Sequence, residues 1–317
     1  YDAYSKYYLA APKVERVIYI KAEDSLLALL TGKADLAEIE PNMTKILKKK
    51  GMAIIKNQMG WNKKLMINHK KAPFDKKEFR HALAHAINRQ DLIDKAHQGF
   101  GTVASDGLLS PDHSYYNPDT PQYEYNPAKT AEILTSLGYS KDADGFFSKD
   151  GKRLTTQLLA SVVSTAERDG EVLRRQLEDV GIEVDLQMQE KTAADSRIKQ
   201  WDFDLALSGH GGLLGDPVLL NRSISPKSGS VNSSRYGGSK ELLTLLKDQV
   251  RETDEAKRKE IVHRLQAVYA EELPAISLYY PDAMSAYNPK KGVDWYYTPG
   301  GVATGIPINM NKILLVR

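Results

Sequence analysis

The sequence predicts an α/β protein built as two lobes. Three observations carry that prediction. A chain of 317 residues is longer than one core usually organises. A strand–helix–strand pattern lies uninterrupted over 152–188. The composition, 41% apolar and 27% charged, is that of an ordinary globular chain able to bury a sizeable core.

The elements follow in order. Residues 14–20, "VERVIYI", alternate and are β-branched, which predicts a strand. Asp24 caps a short helix, "SLLALLTG", closed by Gly32, and 34–39 make the next strand, so a β-α-β unit is expected in the first forty residues. Residues 64–74 read as a strand entering a proline turn. Asp75 and Glu78 have capping-box spacing before a helix whose stripe is Phe79, Leu83, Ala86 and Ile87. A second helix starts near Asn88 and ends at Gly99; 100–126, rich in Pro, Tyr and Asp, is an ordered surface loop; Pro127 opens a helix ended by Gly138.

In the central pattern, 152–161 is a strand, 166–181 a helix, and 182–188 a strand with Ile182, Val184, Leu186 and Met188 on one face. A right-handed parallel crossover is the expectation. A helix over 191–199 leads to a third strand, "WDFDLALSG", which stops at a turn holding Gly209, His210, Gly211 and Gly212. Asp216 and Pro217 can start a short helix. After a Ser/Gly-rich loop (224–239), helices are expected over 239–251 and 254–272, then a strand "AISLYY"; 282–317 look irregular.

Charge and motifs exclude several functions. Forty-four basic residues against forty-one acidic leave +3, with the cations scattered, so no nucleic-acid footprint exists. Lys48–Lys50 read as a solvated helix end beside Gly51. The absence of cysteine excludes disulfides, thiolate nucleophiles and zinc ribbons, and fits an extracytoplasmic protein. No apolar run approaches the 18 residues of a membrane-spanning helix.

"GHGGLLGDP" lacks the spacing of a phosphate loop and leads to an acidic cap. His81 and His85 have zincin spacing without the glutamate and read as solvated positions. Asp202 and Asp204 read as exposed alternate positions, and no G-x-S-x-G elbow occurs. No catalytic residue, metal site or cofactor is therefore expected. In open α/β sheets ligands sit beyond the carboxyl ends of strands, which singles out the segments after 160 and 207. Glycines there would leave the main chain bare to a ligand.

Several stretches together resemble the solute-binding proteins of peptide/nickel-type ABC importers, extracellular solute-binding family 5. The most specific is "PFDKKEFRHALAHAINRQDLIDKAHQGFGTVASDGLLSP" (73–111). "YNPAKTAEILTSLGY", "LRRQLEDVGIEVDLQ", "WDFDLALSGHGGLLGDP" and "EELPAISLY" are similar in order and spacing. The resemblance implies a periplasmic-binding-protein-like (type II, cluster C) architecture: 1–72 as part of lobe I, 73–280 as lobe II, nearly complete, and 281–317 returning to a partial lobe I. It implies a C-terminal fragment of a longer protein.

It further implies a monomeric receptor, periplasmic or lipid-anchored at the outer face of the cell membrane. A peptide or peptide-like solute would bind between the lobes and pass to a membrane permease. The ligand residues so implied are Ser161, Ser208, Gly209, His210, Gly211, Gly212, Leu213, Arg235 and Tyr236. Leu213 stands where peptide binders place an amine-holding Asp, Ala160 or Ser161 where dipeptide binders place a carboxylate-holding Arg, and His210 where an aromatic is common. The alternatives are a nickel or metal-chelate receptor of the same family, and a hydrolase using His210.

Overall fold

The computed structural model describes residues 2–6, 13–56, 60–162, 165–211, 215–224, 236–282, 284–293 and 295. They form two compact units, one taking the described residues up to Gly60 and from Asp282 onward, the other Trp61–Pro281.

The smaller unit contains α1 (Ser25–Leu30), β1 (Leu36–Ile39), α2 (Thr44–Lys49), β2 (Ala53–Lys56) and, from the far end of the chain, β12 (Met284–Tyr287). Asp24 caps α1 as its position predicts, its Oδ1 accepting the Leu27 N–H at 2.9 Å. β12 lies between β1 and β2, antiparallel to both, over a core of Leu29, Ile39, Leu47 and Ala286. The strand expected over 14–20 is replaced by one isolated bridge, Asp2–Arg16, and Ile18, Tyr19 and Ile20 are exposed. β1 pairs with β12, and among the described residues the expected N-terminal β-α-β unit does not form.

The larger unit runs through β3 (Trp61–Ile67), α3 (Lys77–His85), α4 (Arg89–His97), β4 (Gly101–Val103) and α5 (Pro127–Ser136). A small meander follows: β5 (Ser140–Lys141), β6 (Phe147–Lys149) and β7 (Lys152–Arg153). Next come β8 (Thr155–Ser161), α6 (Ala166–Asp179), β9 (Glu183–Gln189), α7 (Lys191–Gln200) and β10 (Leu205–Gly211). α8 (Leu219–Ile224), α9 (Lys240–Arg251), α10 (Glu255–Glu272) and β11 (Ala275–Pro281) complete it. One mixed sheet, ordered β4-β11-β3-β10-β8-β9, organises the unit. β8 is parallel to β9 and β10, while β3 is antiparallel to β10 and β11.

Residues 61–72, expected in the first lobe, thus belong to the larger unit, because β3 is an interior strand of its sheet. The capping box at Asp75 also does not form. Turns over 71–76 delay the helix to Lys77, with Lys76 at the N-cap position.

One face of the sheet packs against α3, α4 and α6: Leu65, Ile67, Leu158, Leu205, Leu207 and Ile276 meet Phe79, Leu83, Leu92, Leu173 and Leu177. The opposite face begins the same way, with Met66, Leu159 and Ala206 against Ala194 and Phe203. A third core joins Leu108 and Leu109 to the helices α8–α10 through Leu220, Leu246, Val262 and Tyr269. The segment 100–126 is not wholly a surface loop: it opens with β4, and Asp106, Leu108 and Leu109 are buried, held by the Arg89–Asp106 ion pair at 2.6 Å and by Tyr280, whose hydroxyl donates to the Leu108 carbonyl.

Candidate functional site

Strand pairing builds a polar layer on the second face. Ser277 of β11 stands opposite Lys64 of β3, and Lys64 opposite Ser208 of β10; one rung along, Asn62 faces His210. Side chains alternate along a strand, so these five share the face of Met66 and Ala206. Half of that face is apolar and half polar.

Burial makes the polar half unusual. Asn62 is 0% exposed, Ser277 1% and His210 7%. Among the described residues, neither Asn62 Oδ1 nor Nδ2, neither ring nitrogen of His210, nor Ser277 Oγ has a hydrogen-bond partner. Nearly all buried polar groups in folded proteins are paired, and each left unpaired costs about 1–3 kcal/mol. Five such atoms on three adjacent strands form a standing demand for hydrogen bonds.

The electrostatics match. Burial, then the positive charges of Lys64 and Arg222, push the His210 pKa down to about 2. The imidazole is neutral at any physiological pH, one nitrogen a donor and the other an acceptor. Burial lowers the Lys64 ammonium to about 7.

The glycine-rich segment differs from its sequence expectation. β10 does not stop at Ser208; it runs to Gly211, with His210 opposite Asn62 and Gly211 opposite Trp61. His210 is therefore a strand residue aimed inward, not a loop residue at an opening. A Cβ on Gly209 would lie 2.5 Å from Trp61 Nε1 and 2.8 Å from the Asn62 carbonyl. The missing side chain admits an indole rather than a bare approach to a ligand.

Ser161 ends β8, half-buried, and Ser208 is half-buried beside the layer. Gly211 is exposed at the end of β10, and Trp61 across from it, on the opposite face from the layer, is 43% exposed. Tyr236 is a core residue: its hydroxyl accepts the Ser239 N–H at 3.1 Å, and its ring meets His69 edge-on. Gly212, Leu213 and Arg235 lie outside the described residues.

Sequence reasoning missed Asn62, Lys64 and Ser277. The signal was present in "WNKKLMIN", where polar Asn62 and Lys64 share a side with apolar Met66. A strand interior to a covered sheet has no solvent face on which to leave them.

Other candidates resolve structurally. His81 Nε2 is 2.7 Å from the Glu271 carbonyl and 3.0 Å from Tyr123 Oη, and His85 Nδ1 is 2.7 Å from the Glu124 carbonyl, so both brace loops instead of standing in solvent. Asp202 pairs with Arg197, and Asp204 with Lys71 and the Gln157 N–H, which leaves no acid/base pair. No group of three or more metal-binding side chains occurs among the described residues. Among the described residues, His210 bonds neither a serine nor a carboxylate.

Comparison with known proteins fits this picture. The sequence profile of the bacterial extracellular solute-binding proteins, family 5 (middle), matches residues 1–232. The oligopeptide-binding protein AppA of Bacillus subtilis is 28% identical over 250 residues, covering 74% of this chain and 44% of AppA. Di/tripeptide-binding protein 1 of Pseudomonas aeruginosa is 27% identical over 315 residues, covering 95% and 56%. This chain spans about half the length of these curated relatives.

Among solved structures, Campylobacter jejuni NikZ in complex with Ni(L-His) superposes with a TM-score of 0.81 at 22% identity, covering 98% of this chain and 64% of NikZ. AppA in complex with a nonapeptide gives 0.76 at 25% identity, covering 93% and 60%. The fold is the two-lobed α/β fold of periplasmic binding proteins. With 232 of its 317 residues inside the family profile, the chain belongs to the bacterial extracellular solute-binding proteins, family 5, a family of binders and not of enzymes.

Proposed function

We propose that this chain is the solute-recognising part of an extracytoplasmic receptor for an ABC importer, which takes up a peptide or peptide-like solute and delivers it to a membrane permease. The observation that carries the reading is the layer of Asn62, His210 and Ser277, whose five polar atoms have no hydrogen-bond partner among the described residues, His210 standing at the carboxyl end of β10. A guest with its own donors and acceptors offsets the cost of leaving them unpaired. AppA and di/tripeptide-binding protein 1, named for peptides, support that class of guest.

A second reading, a metal-chelate receptor, draws on His210, whose neutral imidazole suits a ligand-borne metal, and on the fold of NikZ.

Mass spectrometry of the protein purified under native conditions tests both. A co-purified peptide supports the first reading, and a chelated metal ion the second. Added ligand should stabilise the fold by about 3 kcal/mol at a hundredfold excess over Kd. Failure to retain any solute, with no thermal stabilisation by a panel of di- and tripeptides or by Ni(L-His), overturns the receptor assignment.

A further inference from the structure

We propose that the layer of Asn62, Lys64, His210 and Ser277 receives the anionic end of the solute, a carboxylate or a group of like chemistry, and rejects its free amine. The inference rests on the receptor reading above and adds the charge of the group recognised.

The charged groups that act on His210 are Lys64, on the neighbouring strand, and Arg222, on α8, and both are cations. His210 itself is neutral, and Asn62 and Ser277 carry no charge, so the charges that act on the His210 ring are positive. A carboxylate entering the layer meets attraction from Lys64 with little intervening water to screen it. An ammonium group would add a second buried cation beside Lys64.

The donors agree with the field. Asn62 Nδ2 brings two N–H groups, one His210 nitrogen a third, and the Ser277 hydroxyl a fourth, all on atoms with no partner among the described residues. A carboxylate has about four lone-pair sites to receive them. Asp169, beside Lys63 on the opposite face of the sheet, is held there by Tyr279, His97 and Lys63.

The experiment uses two matched probes and isothermal titration calorimetry. N-acetyl-Ala-Ala has a carboxylate and no amine; Ala-Ala-amide has an amine and no carboxylate. The expected result is at least tenfold tighter binding of the acetylated peptide. Asn62→Leu and His210→Leu should raise the melting temperature of the unliganded protein while weakening N-acetyl-Ala-Ala at least tenfold. Where either fails to fold, Ser277→Ala, which removes one hydroxyl, should still weaken that peptide several-fold.

Equal or tighter binding of the amide overturns the anion assignment and leaves the receptor reading standing. Unchanged affinity in the variants overturns it as well, since the layer would then be core alone. If neither peptide binds, the solute that co-purifies decides: an acidic one supports the assignment, one without an acidic group overturns it, and no solute at all removes this inference together with the receptor reading.

Discussion

Two buried polar clusters flank the same stretch of β3, one on each face of the sheet. On the face covered by α3, α4 and α6, Lys63 reaches to 3.6 Å from Asp169, which also accepts the Tyr279 hydroxyl at 2.6 Å and lies 3.2 Å from His97 Nε2. On the other face, one residue to either side, Asn62 and Lys64 join His210 and Ser277, and five polar atoms there bond nothing described. Burial is nearly complete in both: Asp169, like Asn62, is 0% exposed. The difference is closure. The Asp169 cluster holds a charge, its counter-charge and their hydrogen bonds, so it can tie α4, α6, β3 and β11 together. In the other cluster the polar atoms of Asn62, His210 and Ser277 lack partners among the described residues, a cost to stability that the proposed binding role would offset.

The comparison breaks if the closed cluster turns out dispensable. Asp169→Ala leaves Lys63 and the Tyr279 hydroxyl without their acceptor and should cost about 3–5 kcal/mol in urea unfolding. A loss below about 1 kcal/mol would show that the cluster is no brace.

Gly209→Ala probes the seat between the two clusters. Its Cβ would fall 2.5 Å from Trp61 Nε1. The substitution should cost about 1–3 kcal/mol by overpacking and shift the tryptophan emission as the indole moves. Unchanged stability and emission would mean the indole is not seated there.

Acid sharpens the contrast. The folded-state pKa of His210 is depressed, whereas the unfolded chain binds the proton near pH 6.5, so its contribution to stability is intact above that value. It is lost as pH falls, by about 1.4 kcal/mol per unit below pH 6. His69, His81 and His113 are lowered too and share this sign. The measurement is therefore the difference in slope between the wild type and His210→Leu over pH 4–6; equal slopes would contradict a buried neutral imidazole.

The smallest effect belongs to Tyr279→Phe. It removes one hydrogen bond but leaves Asp169 with Lys63 and His97, and should cost about 1 kcal/mol by thermal denaturation. A cost equal to that of Asp169→Ala would mean that the hydroxyl, not the carboxylate, organises the cluster.

Much of the fold was legible locally. The α6 helix and β9 appear within two residues of their expected bounds, since a 14-residue amphipathic run and a strict alternation leave little ambiguity. Asn88 and Asn126 cap α4 and α5, bonding the Asp91 and Lys129 N–H groups. The site was less legible. His210 is expected in a turn after the strand, because glycine usually ends a strand; pairing with β3 carries β10 onward through Gly209. Tyr236, expected to line the site, packs instead into the α8–α10 core. Asn62, Lys64 and Ser277 went unnoticed because an alternating polar residue in a strand looks the same facing water or facing a guest.

The sequence by itself determined periodicity, helix starts and the family, for these depend on neighbours a few residues apart or on ordered similarity along the chain. Only the tertiary structure decided which strands are interior to the sheet and what lies opposite each rung. Burial and hydrogen-bond satisfaction are properties of residues brought together from positions 62, 210 and 277, and no local pattern encodes whether their polar atoms will find partners once water has been removed.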